Sequence, residues 1–116
     1  MILLVDDTPT NIDILISILG DDYDISVALC GEDALEIMEE ELPDLVFLDV
    51  LMPGISGYEV LEHMKGQDSL KTIPVVFLSG NSEETERQKG LSLGAEEYLV
   101  KPIDAGAVMA QAKKYC

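Results

Sequence analysis

Five short apolar runs alternate with five amphipathic segments along these 116 residues. Each run has the length of a buried strand, and the segments Pro9–Leu19 and Glu32–Glu41 space their apolar residues as one face of a helix does, whereas Ser82–Leu93 is more polar. The predicted strands are Ile2–Val5, Asp24–Leu29, Leu45–Leu48, Val75–Leu78 and Tyr98–Val100. The predicted helices are Pro9–Leu19, Glu32–Glu41, Tyr58–Lys65, Ser82–Leu93 and Ala105–Tyr115. Strand and helix units of about 20–25 residues each predict a parallel sheet with helices packed on both faces.

Boundary residues and strand composition support this alternation. The runs LVFL and VVFL are apolar at every position, as strands must be when helices cover both faces of a sheet. Thr8 is the predicted N-cap of the first helix, Pro9 takes its first position, and Gly20 is predicted to end it. Since the chain has no internal repeat, linker or low-complexity tract, we expect a single domain over residues 1–116.

The overall composition excludes several classes of protein. With 47% hydrophobic residues the chain is globular rather than disordered, and its length falls in the usual range for one domain. No apolar run approaches the length of about 20 residues that a membrane helix needs. The N-terminus also lacks the basic segment of a signal peptide. We therefore expect a soluble protein that works in the cytoplasm.

The charge balance is strongly acidic, with 23 acidic against 7 basic residues and a net charge of −16. Such a surface repels nucleic acid and anionic membranes, so we expect this domain to bind neither directly. It attracts divalent cations and basic partner surfaces instead. The two cysteines, Cys30 and Cys116, have no metal-ligand spacing and are expected to be free thiols.

The predicted fold gathers polar residues at one edge of the sheet, because ligands bind beyond the carboxyl ends of parallel strands. The residues that follow the five strands in turn are Asp6 and Asp7, Cys30 and Gly31, Asp49, Ser79 and Gly80, and Lys101 and Pro102. Three carboxylates, a hydroxyl and an amine are therefore expected to meet there.

Three clustered carboxylates need a proton or a cation. Two like charges about 4 Å apart repel by roughly 4 kcal/mol at an effective dielectric constant near 20. Mg²⁺ prefers oxygen ligands, binds through one or two carboxylates and keeps several waters, which leaves positions for phosphate oxygens. The Asp6–Asp7 pair alone has little specificity. Asp49 and Lys101 at the ends of other strands make the combination specific for a metal and phosphate site.

Asp49 follows an all-apolar run and is expected at the end of a central strand. A carboxylate placed there can attack phosphorus and form an aspartyl phosphate. Phosphoryl transfer depends mainly on positioning and on charge neutralisation, which a metal ion and Lys101 supply. Ser79 can donate a hydrogen bond to the new phosphoryl group, and Gly80 leaves space for it.

The sequence resembles the receiver domain of two-component response regulators over nearly its whole length. The matching motifs are LVDD, LVFLDVLMPGISGYE, VVFLSG and GAEEYLVKP. Ser79 and Lys101 lie 30 and 52 residues after Asp49, as the family pattern expects. The resemblance implies a flavodoxin-like (βα)5 three-layer sandwich whose five parallel strands lie in the order 2-1-3-4-5.

The resemblance also implies a role for each site residue. Asp49 is the phosphoacceptor. Asp7 and Asp49 bind Mg²⁺ directly, Asp6 holds it mostly through water, and the backbone carbonyl of Leu51 is a further ligand. Lys101, with Gly80 beside it, binds the phosphate, and a cis peptide bond to Pro102 aims the lysine into the site.

A switch between two surface conformations is the implied output of that site. Ser79 is the switch hydroxyl, which moves toward the phosphoryl group. Tyr98 is the switch aromatic, which turns inward into the space that Ser79 leaves. The surface formed by the fourth helix, fifth strand and fifth helix then changes. This reading predicts a domain that catalyses its own phosphorylation and dephosphorylation and is not a conventional multiple-turnover enzyme.

The implied partners are a sensor histidine kinase or a histidine phosphotransfer protein, and an output domain or separate target. The last helix is short, rich in alanine and without a cap. We therefore expect that the domain was excised from a longer multidomain protein. A monomer and a phosphorylation-dependent homodimer both stay open, as do the signal and the dephosphorylation rate.

Three other functions were weighed against this one. A metal-dependent phosphohydrolase for small molecules would carry D-x-D after the first strand, where this chain has DDT. A flavin binder would need glycine and no negative charge in the segment DDTPTN. A receiver-shaped interaction module that is never phosphorylated is disfavoured by the intact set of site residues, although sequence alone leaves it open.

Overall fold

The structure, a computed structural model, describes residues 1–116. Its strands are β1 (Ile2–Val5), β2 (Ile25–Ala28), β3 (Leu45–Asp49), β4 (Val75–Ser79) and β5 (Glu97–Val100). Its helices are α1 (Pro9–Leu19), α2 (Gly31–Glu40), α3 (Gly57–Lys65), α4 (Glu84–Ser92) and α5 (Ala105–Tyr115). All ten predicted elements are present in the predicted order.

No boundary differs from its prediction by more than two residues, and the largest difference is at the start of α4. The helix was expected from Ser82 but begins at Glu84. Asn81 explains the delay, because its side-chain carbonyl accepts a hydrogen bond of 2.9 Å from the backbone N–H of Glu83. This local turn competes with the helical conformation over those residues.

The sheet has five parallel strands in the order β2-β1-β3-β4-β5. Helices cover both of its faces, which confirms the predicted flavodoxin-like three-layer sandwich. The order reverses beside β1, so the carboxyl ends of β1 and β3 flank the point where such folds bind ligands.

The core consists of two apolar layers separated by the sheet. Alternate strand residues enter opposite layers, so Phe77 of β4 belongs to one layer and Phe47 of β3 to the other. The layer with Phe77 also contains side chains of α2 and α3, whereas α1 and α5 contribute to the layer with Phe47. Every residue of β1, β3 and β4 is buried. This burial explains why their sequences lack the alternation of half-exposed strands.

The start of α1 differs in detail from its prediction. Thr8 occupies the N-cap position and Pro9 follows it, but the Thr8 side chain makes no capping hydrogen bond. Asp6 replaces it in part, because its Oδ1 accepts a 2.9 Å hydrogen bond from the Thr8 backbone N–H. The side chain of Asp6, one of the three carboxylates predicted at the sheet edge, therefore also helps to begin α1.

The start of α3 is fixed tightly against the end of β3. Ser56 and Glu59 form a reciprocal capping box there. The Gly57 N–H donates a 2.8 Å hydrogen bond to the carbonyl of Val50. A Cβ atom at Gly57 would lie only 2.1 Å from the carbonyl oxygen of Asp49. Glycine at this position thus allows the helix to approach the backbone of the buried aspartate.

None of the five helices combines the length and the apolar character that crossing a bilayer would require.

We predict that Gly57→Ala lowers the free energy of unfolding by about 1–3 kcal/mol, because the added methyl group must displace backbone around Asp49. Gly66→Ala is the matched control, since a Cβ atom there meets its nearest atom at 3.5 Å. Chemical denaturation of both variants measures the difference. Equal stabilities would show that the close approach at Gly57 does not constrain the fold.

Candidate functional site

The residues predicted from the strand ends meet at one edge of the sheet. Asp6 and Asp7 directly follow β1, and Asp49 is the last residue of the neighbouring strand β3. Ser79 ends β4, beside β3, and Lys101 follows β5. Parallel pairing thus brings together residues that are up to 95 positions apart in the chain.

The three carboxylates form one compact cluster. One oxygen atom from each of Asp6, Asp7 and Asp49 lies within 4.8 Å of the other two. Asp6 and Asp49 are only 1% and 6% exposed, whereas Asp7 is half-buried. Three oxygen donors at this spacing fit a hard divalent cation such as Mg²⁺.

The surroundings of the three acids differ. Asp6 accepts hydrogen bonds from the backbone N–H of Thr8 at 2.9 Å and from the Asn11 side chain at 3.3 Å. Its Oδ2 atom also accepts a 3.0 Å hydrogen bond from Lys101 Nζ. Asp7 makes no hydrogen bond within the protein. The oxygens of Asp7 are therefore freer to bind a cation than those of Asp6.

Lys101 is the cation that reaches the cluster. Its Nζ atom lies 3.0 Å from Asp6 Oδ2 and 3.4 Å from Asp49 Oδ1, so it bridges the ends of β1 and β3. The Lys101–Pro102 peptide bond is cis, as the resemblance implies. The backbone N–H of Lys101 donates a 2.7 Å hydrogen bond to the Ser79 carbonyl, which ties the lysine to β4.

The electrostatic environment makes Asp49 difficult to ionise. Burial is the main reason that the pKa of Asp49 rises to about 6, and the Asp6 carboxylate raises it further. Lys101 opposes both effects. Because one lysine does not offset burial and a neighbouring acid, an additional cation would favour the charged form of Asp49.

The loop between β3 and α3 carries the proposed carbonyl ligand. Leu51 is 77% exposed and lines the same cleft as Asp49. Gly54 turns the loop with a φ of 80°, and the Ile55 N–H donates a 3.2 Å hydrogen bond to Glu32 Oε1 of α2. Backbone N–H groups of Glu32 itself and of Ile55 hold the pKa of the Glu32 carboxyl below its ordinary value.

An open cleft of about 450 Å³ lies next to Asp49. Leu51 borders it on one side, and Ser79, Gly80 and Asn81 border it on the other. Ser79 is buried, and its Oγ accepts a 3.1 Å hydrogen bond from the Asn81 N–H. A Cβ atom at Gly80 would meet nothing within 4 Å. The space expected beside Gly80 is present, although packing does not require glycine there.

Tyr98, the predicted switch aromatic, lies in an inward position. It is 4% exposed while Ser79 bonds to Asn81, and its movement upon phosphorylation stays a prediction. The Tyr98 hydroxyl donates a 2.9 Å hydrogen bond to the Asn81 carbonyl. The inward position is occupied because it offers that acceptor and because Gly90 of α4 has no side chain to fill the space.

Asn11 and Glu32 were missed by the sequence reasoning. Asn11 lies in the first turn of α1, close enough in sequence to bond back to Asp6, and this proximity was the available signal. Glu32 contacts a residue 23 positions away, and no local pattern indicates that pairing.

Comparisons with known proteins identify the family of this chain. A profile of the response regulator receiver domain matches residues 2–113. A probable cyclic di-GMP phosphodiesterase of Vibrio cholerae serotype O1 is 44% identical over 102 residues, which are 88% of this chain and 23% of that protein. The response regulator PleD of Caulobacter vibrioides is 35% identical over 113 residues, 97% of this chain and 25% of that protein.

Solved structures show the same fold. The chemotaxis protein CheY4 of Vibrio cholerae superposes with a TM-score of 0.90 at 26% sequence identity, over 99% of this chain and 97% of that one. The chain spans about a quarter of the length of the two curated relatives above. The profile match covers almost every residue, including all those brought together at the sheet edge. This chain therefore belongs to the receiver domain family of response regulators, the phosphorylation-controlled signalling domains of two-component systems.

Proposed function

We propose that Asp49 accepts a phosphoryl group from the phosphohistidine of a sensor kinase or of a phosphotransfer protein. The observation that supports this proposal is the position of Asp49. This residue is buried at the end of β3, its Oδ1 lies 3.4 Å from Lys101 Nζ, and it lines the adjacent cleft. An Asp49 oxygen attacks phosphorus, the bond from phosphorus to the donor nitrogen breaks, and that nitrogen keeps the electron pair. The product is an aspartyl phosphate.

Lys101 and Ser79 both serve this transfer. Lys101 already contacts both Asp6 and Asp49, so a short movement brings its charge to the phosphoryl oxygens. The Ser79 hydroxyl can turn from Asn81 and donate to the same group. Gly80 leaves the entrance open. These contacts stabilise charge where the new group forms.

Mg²⁺ is the proposed cofactor, and it supplies positive charge that neutralises the phosphoryl oxygens during transfer. Asp7 and Asp49 are its direct carboxylate ligands, with the backbone carbonyl of Leu51 as a third. Asp6 acts through water, since Thr8, Asn11 and Lys101 already donate hydrogen bonds to its oxygens. The all-oxygen donor set supports this choice of metal.

The proposed output is a change in the surface formed by α4, β5 and α5. Ser79 and Tyr98 both contact Asn81, so a movement of Ser79 toward the phosphoryl group changes the local support of Tyr98. The surface then regulates an output domain or a separate partner in the cytoplasm. Self-association upon phosphorylation is a further proposed response of the same surface.

We predict that incubation with acetyl phosphate and Mg²⁺ adds the mass of one phosphoryl group to the protein and none to the Asp49→Asn variant. Asp68→Asn, at an exposed position, is the control and should be modified like the parent. Intact-protein mass spectrometry measures the modification. An Asp49→Asn variant that is phosphorylated as fully as the parent would refute the assignment.

The two neighbouring acids should differ in metal binding. We predict that Asp7→Asn weakens Mg²⁺ binding more than Asp6→Asn does, because Asp7 has no other partner within the protein and Asp6 has three. Isothermal titration calorimetry compares the two dissociation constants with that of the parent. Equal losses would show that both acids bind the metal in the same way.

The raised pKa of Asp49 predicts a pH-dependent stability. Since the folded-state value of about 6 lies above the ordinary value of 3.8, the folded protein binds the proton more tightly than the unfolded chain does. The ionised Asp49 therefore destabilises the metal-free fold progressively as pH rises from about 4 to 6. In EDTA at pH 7.5 or so, Asp49→Asn should raise the free energy of unfolding by about 1–3 kcal/mol.

Near pH 4 the same substitution should have a much smaller effect on stability, because Asp49 is then protonated in the folded state and only partly ionised in the unfolded chain. Denaturant titrations of the parent and the variant at the two pH values measure this difference. Asp13→Asn, at an exposed position on α1, is the control. If Asp49→Asn raised the free energy of unfolding equally at both pH values, the pKa of Asp49 would not be raised in the folded protein.

A further inference from the structure

Helix α4 is held to the domain by very few apolar contacts. Gly90 is the only buried residue among its nine, whereas α3, of the same length, buries five. The side chains of α4 are mostly charged or polar, and its contact with the sheet is made where Gly90 lies against Phe77 and Tyr98. Other interactions must therefore fix the position of this helix.

Tyr58 of α3 makes the closest of those interactions. Its hydroxyl donates a 2.6 Å hydrogen bond to Glu86 Oε2 and lies 3.3 Å from the Glu86 backbone carbonyl. The Nζ atom of Lys89 lies 4.5 Å from the centre of the Tyr58 ring. Glu86 and Lys89 are one helical turn apart, so a single side chain of α3 contacts two successive turns of α4.

The same tyrosine is linked to the switch aromatic through the core. The Tyr58 ring packs edge-on against Phe77, with ring centres 5.3 Å apart. Phe77 in turn lies 6.2 Å from Tyr98. A Cβ atom at Gly90 would lie 3.0 Å from Phe77 and 3.2 Å from Tyr98, so α4 covers Tyr98 at close range. A shift of α4 would change the space that Tyr98 occupies.

Tyr58 also lines a cavity of about 340 Å³ that shares residues with the cleft beside Asp49. Leu51, Ser79 and Asn81 line this cavity and also line the cleft beside Asp49. Tyr58, Glu86 and Lys89 line it as well. The contact between α3 and α4 and the residues around the phosphoacceptor thus border one common space.

We propose that Tyr58 is a positioning residue of the switch, whose hydrogen bond to Glu86 holds α4 against α3 and keeps Tyr98 covered in its inward position. In the proposed switch a phosphoryl group at Asp49 selects the inward position of Tyr98, so the Tyr58–Glu86 bond would favour that same state. The effect of this bond on the affinity for a phosphoryl group rests on the function proposed above, whereas its effect on the position of α4 is independent of that function.

The test uses Tyr58→Phe, which keeps the ring against Phe77 and removes only the hydroxyl. Amide hydrogen exchange, without metal or phosphoryl analogue, should become about tenfold faster in α4 and stay unchanged in α1 and α5. In Mg²⁺, the affinity for beryllofluoride, an analogue of the phosphoryl group, should fall by about threefold or more, because the inward state of Tyr98 is then less populated.

Matched variants separate this bond from general effects. Tyr115→Phe, in α5, removes a tyrosine hydroxyl that lies 3.4 Å from Glu96 Oε2, and it should change neither measurement. Glu86→Ala should reproduce Tyr58→Phe, and the double variant should add nothing further, because both substitutions remove one interaction. Glu86→Gln retains a side-chain acceptor and should restore most of the protection of α4.

The outcomes distinguish this inference from the proposed function. If the parent itself binds no beryllofluoride, the proposed function fails, and the exchange data still decide whether Tyr58 holds α4. If the parent binds it and Tyr58→Phe binds it equally or more tightly, Tyr58 does not favour the switched state and the inference is overturned. Unchanged exchange in α4 overturns it as well.

Discussion

Repulsion among Asp6, Asp7 and Asp49 is the constraint on which the rest of this site depends. Two charges at such distances repel by roughly 4 kcal/mol even at an effective dielectric constant of about 20, and burial adds to that cost. The fold tolerates the cluster because the acids end or follow strands that are fully buried. Because the raised pKa of Asp49 makes its ionisation costly without a metal, the cluster favours the binding of a cation beside this aspartate.

Lys101 connects this cluster to the far edge of the sheet. It follows β5, the edge strand, yet its amine reaches the ends of β1 and β3. A group bound at Asp49 that draws Lys101 away from Asp6 therefore acts on the same strand that carries Tyr98. In the proposed switch, a charge placed at Asp49 would reach the edge strand through Lys101 without a rearrangement of the apolar core.

The sequence predicted the sheet and its edge well, for physical reasons. A strand covered on both faces must be apolar throughout, and parallel strands must end on one side, so Asp49 and Lys101 could be placed together before any coordinates. The inward position of Tyr98 could not be predicted, since it depends on the Asn81 carbonyl and on the space left by Gly90. The Tyr58–Glu86 bond joins residues 28 positions apart whose meeting depends on how two helices pack.

A switch of this kind requires one element that can move at low energetic cost, and α4 has that property. Removing a buried Leu, Ile or Met side chain typically costs about 2–5 kcal/mol, so a helix anchored by several of them would resist the few kcal/mol that a phosphoryl group supplies. The interactions that hold α4 are mainly polar, and each is weaker. An ordinary hydrogen bond contributes about 1 kcal/mol net to stability, and one to a charged group contributes up to about 3 kcal/mol. A helix held mainly by Tyr58 and by the contact at Gly90 has one well-defined position, and in the proposed switch phosphorylation of Asp49 would suffice to displace it.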